Sequence, residues 1–322
     1  WAEPQPGQPA PDPNAPINAQ AIETAKLDPN NPEGSRELLV RIEVLLDRAR
    51  FSPGEIDGRN GDNLKRALAT YKQTYHIPNP GQLDDAALQG LTKTDKQPVL
   101  QHYTITAEDA KGPFLGTVPK DFRAMAKLKR IGYANPQEGL AEKFHMSPAL
   151  LHTLNPNADF SKPGSEITVA RPRSEDLPQV ARVEVDKSAN QLRAYDDANK
   201  IVAAFPATVG STDRPAPSGN ATVVSVAPDP TYTYDPKRVT FGPKSAGVLK
   251  IAAGPNNPVG SSWIALSVAT YGIHGTPDPD LVGKTASHGC IRLTNWDAAA
   301  LGKAVKKGMP VTFVGEEKPK PT

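Results

Sequence analysis

Cysteine is almost absent from this chain, since Cys290 is the only one among 322 residues. A single thiol excludes an internal disulfide and a four-sulfur metal site, so Cys290 is either a reactive thiol or a buried core residue. Long hydrophobic runs are also lacking, because none reaches about 18 residues, and this argues against a transmembrane helix. No charge is in excess, since 37 basic and 35 acidic side chains give a formal charge of +2. We therefore expect neither nucleic acid nor a membrane surface as a partner.

The surroundings of Cys290 distinguish the two interpretations. An isolated cysteine is most often a small, inert core residue. A core strand does not usually carry Ser-His-Gly before its cysteine and arginine two residues after it, as this chain does: Ser287-His288-Gly289-Cys290-Ile291-Arg292. Gly289 lets the backbone approach a ligand, while His288 and the upstream His274 supply proton acceptors. The pattern favours an activated cysteine nucleophile.

Proline and glycine are abundant, with 34 and 25 residues, and they favour turns, linkers and β structure. Residues 1–34 contain eight prolines and few apolar residues, which predicts a disordered or extended tether. Residues 316–322 are expected to form a flexible tail. Because the chain begins at Trp1 within this Pro-rich sequence, we interpret it as an exported protein whose signal peptide has been removed. One cysteine also suits an oxidising compartment.

Residues 35–95 have the hydrophobic periodicity of three short helices. We expect them from Ser35 to about Ala49, from Asp62 or Asn63 to Tyr75, and over Leu83–Leu91. The segment resembles the peptidoglycan-binding domain of cell-wall enzymes in three stretches: Phe51 to Asp57-Gly58, Asn63 to Tyr75, and Gly81-Gln82-Leu83-Asp84. An unrelated three-helix bundle remains the alternative.

Residues 96–178 are predicted to contain a second module together with the linkers on either side of it. Its residues 131–172 resemble a LysM module, with helices at Leu140–Phe144 and after Ser147 and a final strand at Gly164–Val169. The usual Gly-Asp-Thr opening is replaced by Asn135-Pro136-Gln137-Glu138-Gly139. Either glycan binding or a scaffolding role fits this sequence.

From residue 179 to 315 the pattern changes to short strands. Val183 and Val185 alternate with acidic residues, and a turn sequence over residues 196–200 joins two strands into a hairpin. Further strands are predicted at Ala221–Val226, Val248–Ile251, Ser262–Leu266 and Val311–Val314. One helix, over Ala298–Lys307, begins after Thr294 or Asn295 and ends at Gly308. The chain is thus predicted to be a multidomain α+β protein with a mostly β C-terminal domain.

This β region resembles the catalytic domain of the L,D-transpeptidases, the YkuD domain. Separate blocks match in order: Gly254–Gly260, Trp263-Ile264, Gly272–Thr276, Ser287–Leu293 and Asn295. The resemblance implies a YkuD-like β-sandwich with one packed helix. It also implies that a cysteine cleaves the stem peptide of peptidoglycan after its third residue, releases D-alanine and passes the acyl group to another stem. No metal or organic cofactor is implied.

The resemblance assigns roles to the catalytic residues. Cys290 matches the nucleophile and His274 matches its base, whose imidazolium we expect to stabilise the thiolate. Gly275 is expected to orient His274 through its carbonyl, and the N–H groups of Gly289 and Cys290 are candidate oxyanion donors. His288 is expected to shape contacts with the substrate.

The remaining site residues have two interpretations each. Arg292 either binds a stem carboxylate or holds the loop through a buried pair, and Ser287 is expected to be a turn residue rather than a second nucleophile. Tyr232 and Tyr234 lie in an expected lid over residues 228–247, where they either line the donor channel or fix the loop. Tyr271 is a candidate pocket residue.

The acyl acceptor is not determined by the sequence. The expected product is a cross-link between two diaminopimelate residues of peptidoglycan. The same acyl-enzyme could instead react with water, as in a carboxypeptidase or cross-link hydrolase, or with an outer-membrane protein that becomes attached to the wall. A wall-binding protein without catalysis is the third class. Each alternative is consistent with an exported protein of the periplasm or cell wall.

Overall fold

The computed structural model describes residues 16–79, 81–212, 215–239, 242–287 and 289–317. His288 lies outside these residues, as do residues 1–15 of the predicted tether and 318–322 of the predicted tail. Within the described ranges, no helix has both the length and the apolar character needed to cross a membrane.

The N-terminal part consists of short helices. They are α1 (Ala19–Thr24), α2 (Arg36–Arg48), α3 (Asp62–Thr74) and α4 (Asp85–Thr94). The last three confirm the helices predicted from the periodicity of residues 35–95. Helix α2 begins after Ser35 because the Ser35 hydroxyl accepts the N–H of Leu38 at 3.2 Å. Helix α3 begins after Gly61 without a side-chain cap.

Helix α1 corrects the prediction that residues 1–34 form a tether. Asn18 caps it by accepting two backbone N–H groups, and Ile22 is fully buried in the core of the helical part. Glu23 accepts the N–H groups of Val99 and Leu100 at 3.1 and 2.8 Å. Residues 16–34 therefore belong to the folded protein. Composition alone missed this, because one buried isoleucine and one carboxylate are enough to fix a six-residue helix.

The next part is a pair of strands with helices between them. It comprises β1 (Leu100–Thr104), α5 (Ala107–Lys111), α6 (Phe122–Met125), α7 (Pro136–Lys143), α8 (Pro148–Leu154) and β2 (Glu166–Ala170). Strands β1 and β2 pair antiparallel, and Ser147 caps α8 as predicted. Strand β1 thus begins about thirty residues before the predicted segment 131–172. We call residues 105–134, which connect β1 to the start of α7, the arm.

The two N-terminal parts share one hydrophobic core. Leu38 and Leu46 of α2 are buried in the same cluster as Leu151 of α8 and Ile167 of β2. That cluster also includes Ala204, which belongs to the C-terminal β region. The N-terminal parts are therefore packed together and against the β region, rather than separated by linkers.

The C-terminal part is built on short strands and one helix. They are β3 (Arg182–Asp186), β4 (Gln191–Tyr195), β5 (Ile201–Pro206), β6 (Gly219–Pro228), β7 (Tyr232–Tyr234), β8 (Leu249–Ile251), β9 (Ser262–Leu266), β10 (Gly272–His274), β11 (Ile291–Arg292), α9 (Asn295–Ala304) and β12 (Pro310–Val314). The predicted hairpin, strand β9 and the helix capped by Thr294 are confirmed.

Eight of these strands form one curled sheet in the order β11-β10-β9-β6-β12-β3-β4-β5. Strand β6 joins its two halves, because residues 219–222 pair with β12 and residues 223–228 pair with β9 across a bulge. The predicted β structure with one packed helix is thus built as a single curled sheet whose two halves share β6. Ala298 and Leu301 of α9 are fully buried in its core.

Strands β7 and β8 form a separate hairpin, which we call the lid hairpin. Phe122 of the arm packs on Tyr232 and Tyr234, with ring centroids 5.9 and 5.0 Å apart. The N–H of Ile131 donates to the Ala253 carbonyl at 2.9 Å, just beyond the hairpin. Arm and lid hairpin thus share a small apolar cluster of their own.

Candidate active site

Cys290 lies immediately before β11, beside the parallel strand β10. In the register of these strands, Ile273 is next to Ile291 and His274 is next to Arg292. Because side chains alternate along a strand, Cys290, Arg292 and His274 belong to the same face of the sheet. The structure therefore brings the predicted nucleophile, the predicted base and Arg292 together.

A tight turn positions the thiol. The Ser287 hydroxyl donates to the Cys290 carbonyl at 2.6 Å and accepts the Gly289 N–H at 2.9 Å. Gly289 has φ +110°, and a Cβ there would collide with the ring of Tyr271. Only glycine fits this position, and Tyr271 packs against it. The Gly289 N–H was a candidate oxyanion donor in the sequence. In the structure it already donates to the Ser287 hydroxyl.

His274 is held as a buried, neutral imidazole. It is 4% exposed, and its Nδ1 lies 2.6 Å from the Gly275 carbonyl oxygen, the orienter predicted from sequence. Because a carbonyl only accepts, Nδ1 carries the proton and Nε2 is left as the acceptor. Trp263 of β9 stacks on the ring at 5.4 Å. Burial, together with the nearby charge of Arg292, lowers the pKa of His274 to about 3.

The thiol is also neutral at rest. Burial raises the pKa of Cys290 above its ordinary value, although the Gly272 N–H and the charge of Arg292 oppose this. The sulfur lies 3.8 Å from the carbonyl oxygen of Thr270. Thr270 has φ +72°, a strained conformation for a β-branched residue. Both shifts favour the uncharged forms of Cys290 and His274, in contrast to the thiolate–imidazolium pair expected from the sequence.

Arg292 is the positive group at the centre of the site. Burial lowers the pKa of its guanidinium, while Cys290, Asp278 and Tyr232 favour its charged form. Its backbone is fixed by two hydrogen bonds with Thr208, each 2.9 Å long. This position allows Arg292 to stabilise negative charge on the sulfur or on a bound carboxylate.

The two lid tyrosines have different surroundings. Burial, and secondly the interaction with the ionised form of Cys290, raise the pKa of Tyr232 to about 12. Tyr234 is fully buried, and a Cβ on Gly242 would collide with its ring. Tyr232 therefore lies within electrostatic range of the thiol while its ring packs on Phe122, whereas Tyr234 fixes the hairpin.

Sequence reasoning assigned no role to several residues at the site. Trp263 and Asn295 lie in the blocks that match the family, and Thr270 and Asp278 lie outside them. Trp263 stacks on His274, while Asn295 packs against Gly275. Trp263 is the register partner of His274, and it also covers Gly272, where a Cβ would collide with its ring. A glycine two residues before the histidine is the sequence signal for this stacking.

Comparison with known proteins gives one consistent result. The YkuD family model, described as the L,D-transpeptidase catalytic domain, matches residues 181–313. A Bacillus subtilis protein described as the L,D-transpeptidase YqjB is 31% identical over 44% of this chain and 76% of its own length. The L,D-transpeptidase YkuD of Bacillus licheniformis is 29% identical over 55% and 92%. The catalytic domain of an E. faecium L,D-transpeptidase, solved acylated by ertapenem, is 22% identical with a TM-score of 0.34, over 42% of this chain and 98% of that one.

Proposed function

Because the chain belongs to the L,D-transpeptidase family, we propose that it cross-links peptidoglycan stem peptides through an acyl-enzyme on Cys290. The donor is a stem whose third residue is diaminopimelate and whose terminal residue is D-alanine. The acceptor is the side-chain amine of diaminopimelate in a second stem. The observation that carries the proposal is the buried His274, whose bond to Gly275 leaves Nε2 as a base on the same face as the thiol.

The first half of the reaction transfers the acyl group to the enzyme. Nε2 of His274 accepts the thiol proton as the Cys290 sulfur attacks the donor carbonyl, forming the C–S bond and an oxyanion. We assign the Cys290 N–H and the charge of Arg292 to stabilising that oxyanion. When the C–N bond breaks, His274 returns its proton to the nitrogen, and D-alanine leaves.

The second half releases the product. The acceptor amine attacks the thioester, loses its proton to His274, and the sulfur departs to be protonated again. Burial of His274 supports an acceptor other than water, because it limits solvent around the base.

The test is incubation of the purified protein with disaccharide-tetrapeptide, followed by mass spectrometry. Cross-linked dimers with loss of D-alanine are expected, and Cys290→Ala should give none. Tripeptides alone would mean hydrolysis, and an unchanged substrate would mean a wall-binding protein. Adding a lysine-bearing outer-membrane peptide to the assay tests attachment of such proteins.

We further propose that residues 35–95 and 131–172 bind the cell wall and that the protein acts outside the cytoplasm. Pelleting of Cys290→Ala with intact sacculi tests wall binding without turnover. A carbapenem ring presents an acyl group to the same nucleophile, so we also propose that carbapenems acylate Cys290.

A further inference from the structure

A carboxylate from the upstream module reaches into the catalytic domain behind the base. Glu142 of α7 accepts one side-chain N–H of Asn295, which is shared between its two carboxylate oxygens at N···O distances of 3.1 Å and 3.0 Å. Asn295 is the first residue of α9, is 2% exposed, and donates its remaining contact to the Pro255 carbonyl at 3.1 Å. Tyr133 of the arm donates to Glu142 at 3.0 Å and holds the carboxylate from the other side.

The opposite end of the Asn295 amide supports the loop that carries the base. Its oxygen accepts the Ser261 N–H at 2.9 Å. That oxygen packs so closely on Gly260 and Gly275 that a Cβ on either would collide with it. The Gly275 carbonyl is the group that fixes His274 at Nδ1. A continuous set of contacts therefore runs from Glu142 through Asn295 and the Gly275 peptide to His274.

The orientation of the amide depends on Glu142. An asparagine amide can turn over by 180°, exchanging its oxygen and nitrogen at little cost unless its partners differ. Here the carboxylate and the Pro255 carbonyl only accept, and the Ser261 N–H only donates, so one orientation satisfies all three. Without the carboxylate, the Asn295 side-chain nitrogen loses the two Glu142 oxygens to which it donates. An overturned amide would place an N–H group against Ser261 and Gly275.

We propose that Glu142 is a positioning residue for His274, which acts through Asn295, so that the upstream module completes the active site of the catalytic domain. This inference rests on the proposed function, because it assigns His274 as the base. Glu142 touches neither substrate nor thiol. Its effect is on the orientation of the imidazole, and positional errors of about 1 Å at a reacting centre cost up to about 100-fold in rate.

The matched control is Glu138, which lies one turn earlier on α7. It accepts from Asn256 of the catalytic domain at 2.8 Å, but has no contact with Asn295. Glu138→Ala therefore removes a hydrogen bond across the same boundary without changing any residue in the set of contacts from Glu142 to His274. Glu138 also accepts the Ala134 N–H, and its charge raises the pKa of Glu142, so the substitution favours the ionised form of Glu142.

The measurements are kcat and KM on muropeptide, and the rate at which iodoacetamide alkylates Cys290. Alkylation needs only the thiolate and so reports on the base without substrate. Burial raises the pKa of Glu142 to about 7, so the assays are run about one unit higher, where the carboxylate is ionised. We expect Glu142→Ala to lower kcat about 10- to 100-fold at unchanged KM and to slow alkylation, with Glu142→Gln intermediate and Glu138→Ala near the wild type.

A double-variant comparison distinguishes positioning from general destabilisation. If Glu142 acts only through Asn295, the pair Glu142→Ala and Asn295→Ala should lose no more than Asn295→Ala alone. The inference would be overturned if the losses in kcat of the two single variants multiply in the double variant. It would also be overturned if Cys290 is alkylated as fast in Glu142→Ala as in Glu138→Ala.

If Glu142→Ala does not fold, Glu142→Gln carries the test, because it keeps the side-chain shape. His274→Ala is the reference variant. If it is alkylated at the wild-type rate, the base assignment and the proposed function fail together. If alkylation is slow in His274→Ala but not in Glu142→Ala, only the role of Glu142 is refuted.

Discussion

At the scale of single residues, the fold favours the uncharged forms of Cys290 and His274. Burial raises the pKa of Cys290 and, with Arg292 nearby, lowers that of His274 to about 3. The proton therefore has no reason to leave the sulfur until an electrophile is in place. A thiol protected in this way is less exposed to oxidation, since oxidants also react with the thiolate.

The first prediction concerns the reactivity of this thiol. Ertapenem should acylate Cys290, because opening of its strained ring gives an oxyanion at the position of the donor carbonyl. Intact mass should rise by one ertapenem, and peptide mapping should place it on the peptide that contains Cys290. The Ser287 hydroxyl should stay unmodified, since both of its hydrogen bonds serve the turn. Labelling of Cys290→Ala would contradict the assignment.

The second prediction concerns stability at low pH. The pKa of His274 is about 3 in the folded protein against an ordinary 6.5, so the unfolded chain binds the extra proton. The contribution of the neutral His274 to the free energy of unfolding is fully present above pH 6.5 and is lost as the pH falls towards 3. Between about pH 7 and pH 5 the loss should be about 2 kcal/mol of unfolding free energy.

Urea denaturation at both pH values measures this loss. His274→Asn should remove about 2 kcal/mol of the pH dependence, whereas His102→Asn, which changes an exposed histidine, should keep it. Equal pH dependence in the wild type and His274→Asn would show that His274 is not held neutral by the fold.

At the scale of elements, the sequence predicted what periodicity and capping can specify. Helices α2 and α8 begin at serine caps, and β9 has the predicted bounds. Strands β7, β10 and β11 were missed because two or three residues carry no periodicity. They are defined by neighbours distant in sequence, and the register of β10 with β11 assembles the site. Glu142 could not be found for the same reason, since its partner lies 153 residues away.

The third prediction tests how the arm holds the lid hairpin. Gly254 has φ +143°, and a Cβ there would collide with the backbone of Ile131 in the arm. Gly254→Ala should lower the free energy of unfolding by about 3 kcal/mol or more, because neither backbone can move away. Gly247→Ala is the control, since its φ is also positive but its Cβ would meet open space. It should cost about 1 kcal/mol, and equal losses in chemical denaturation would refute the contact.

At the scale of the whole molecule, the N-terminal parts and the sheet behave as one packed body. The fourth prediction follows from helix α1. Removal of residues 1–34 should lower the melting temperature relative to removal of residues 1–15, because only the longer deletion takes away the buried Ile22 and the carboxylate of Glu23. Differential scanning calorimetry measures the shift. Equal melting temperatures would show that residues 16–34 do not stabilise the fold and act only as a tether.

The Asn295–Glu142 contact also limits how this protein can have been assembled during evolution. A domain can be exchanged between proteins without loss only where it folds and functions alone. Here a crossover between residues 142 and 295 separates an amide from the only carboxylate that it meets among the residues described. Such a hybrid inherits an intact Cys290 and His274 without the support behind them. The two halves are therefore expected to descend together, with changes at position 142 matched by changes at position 295.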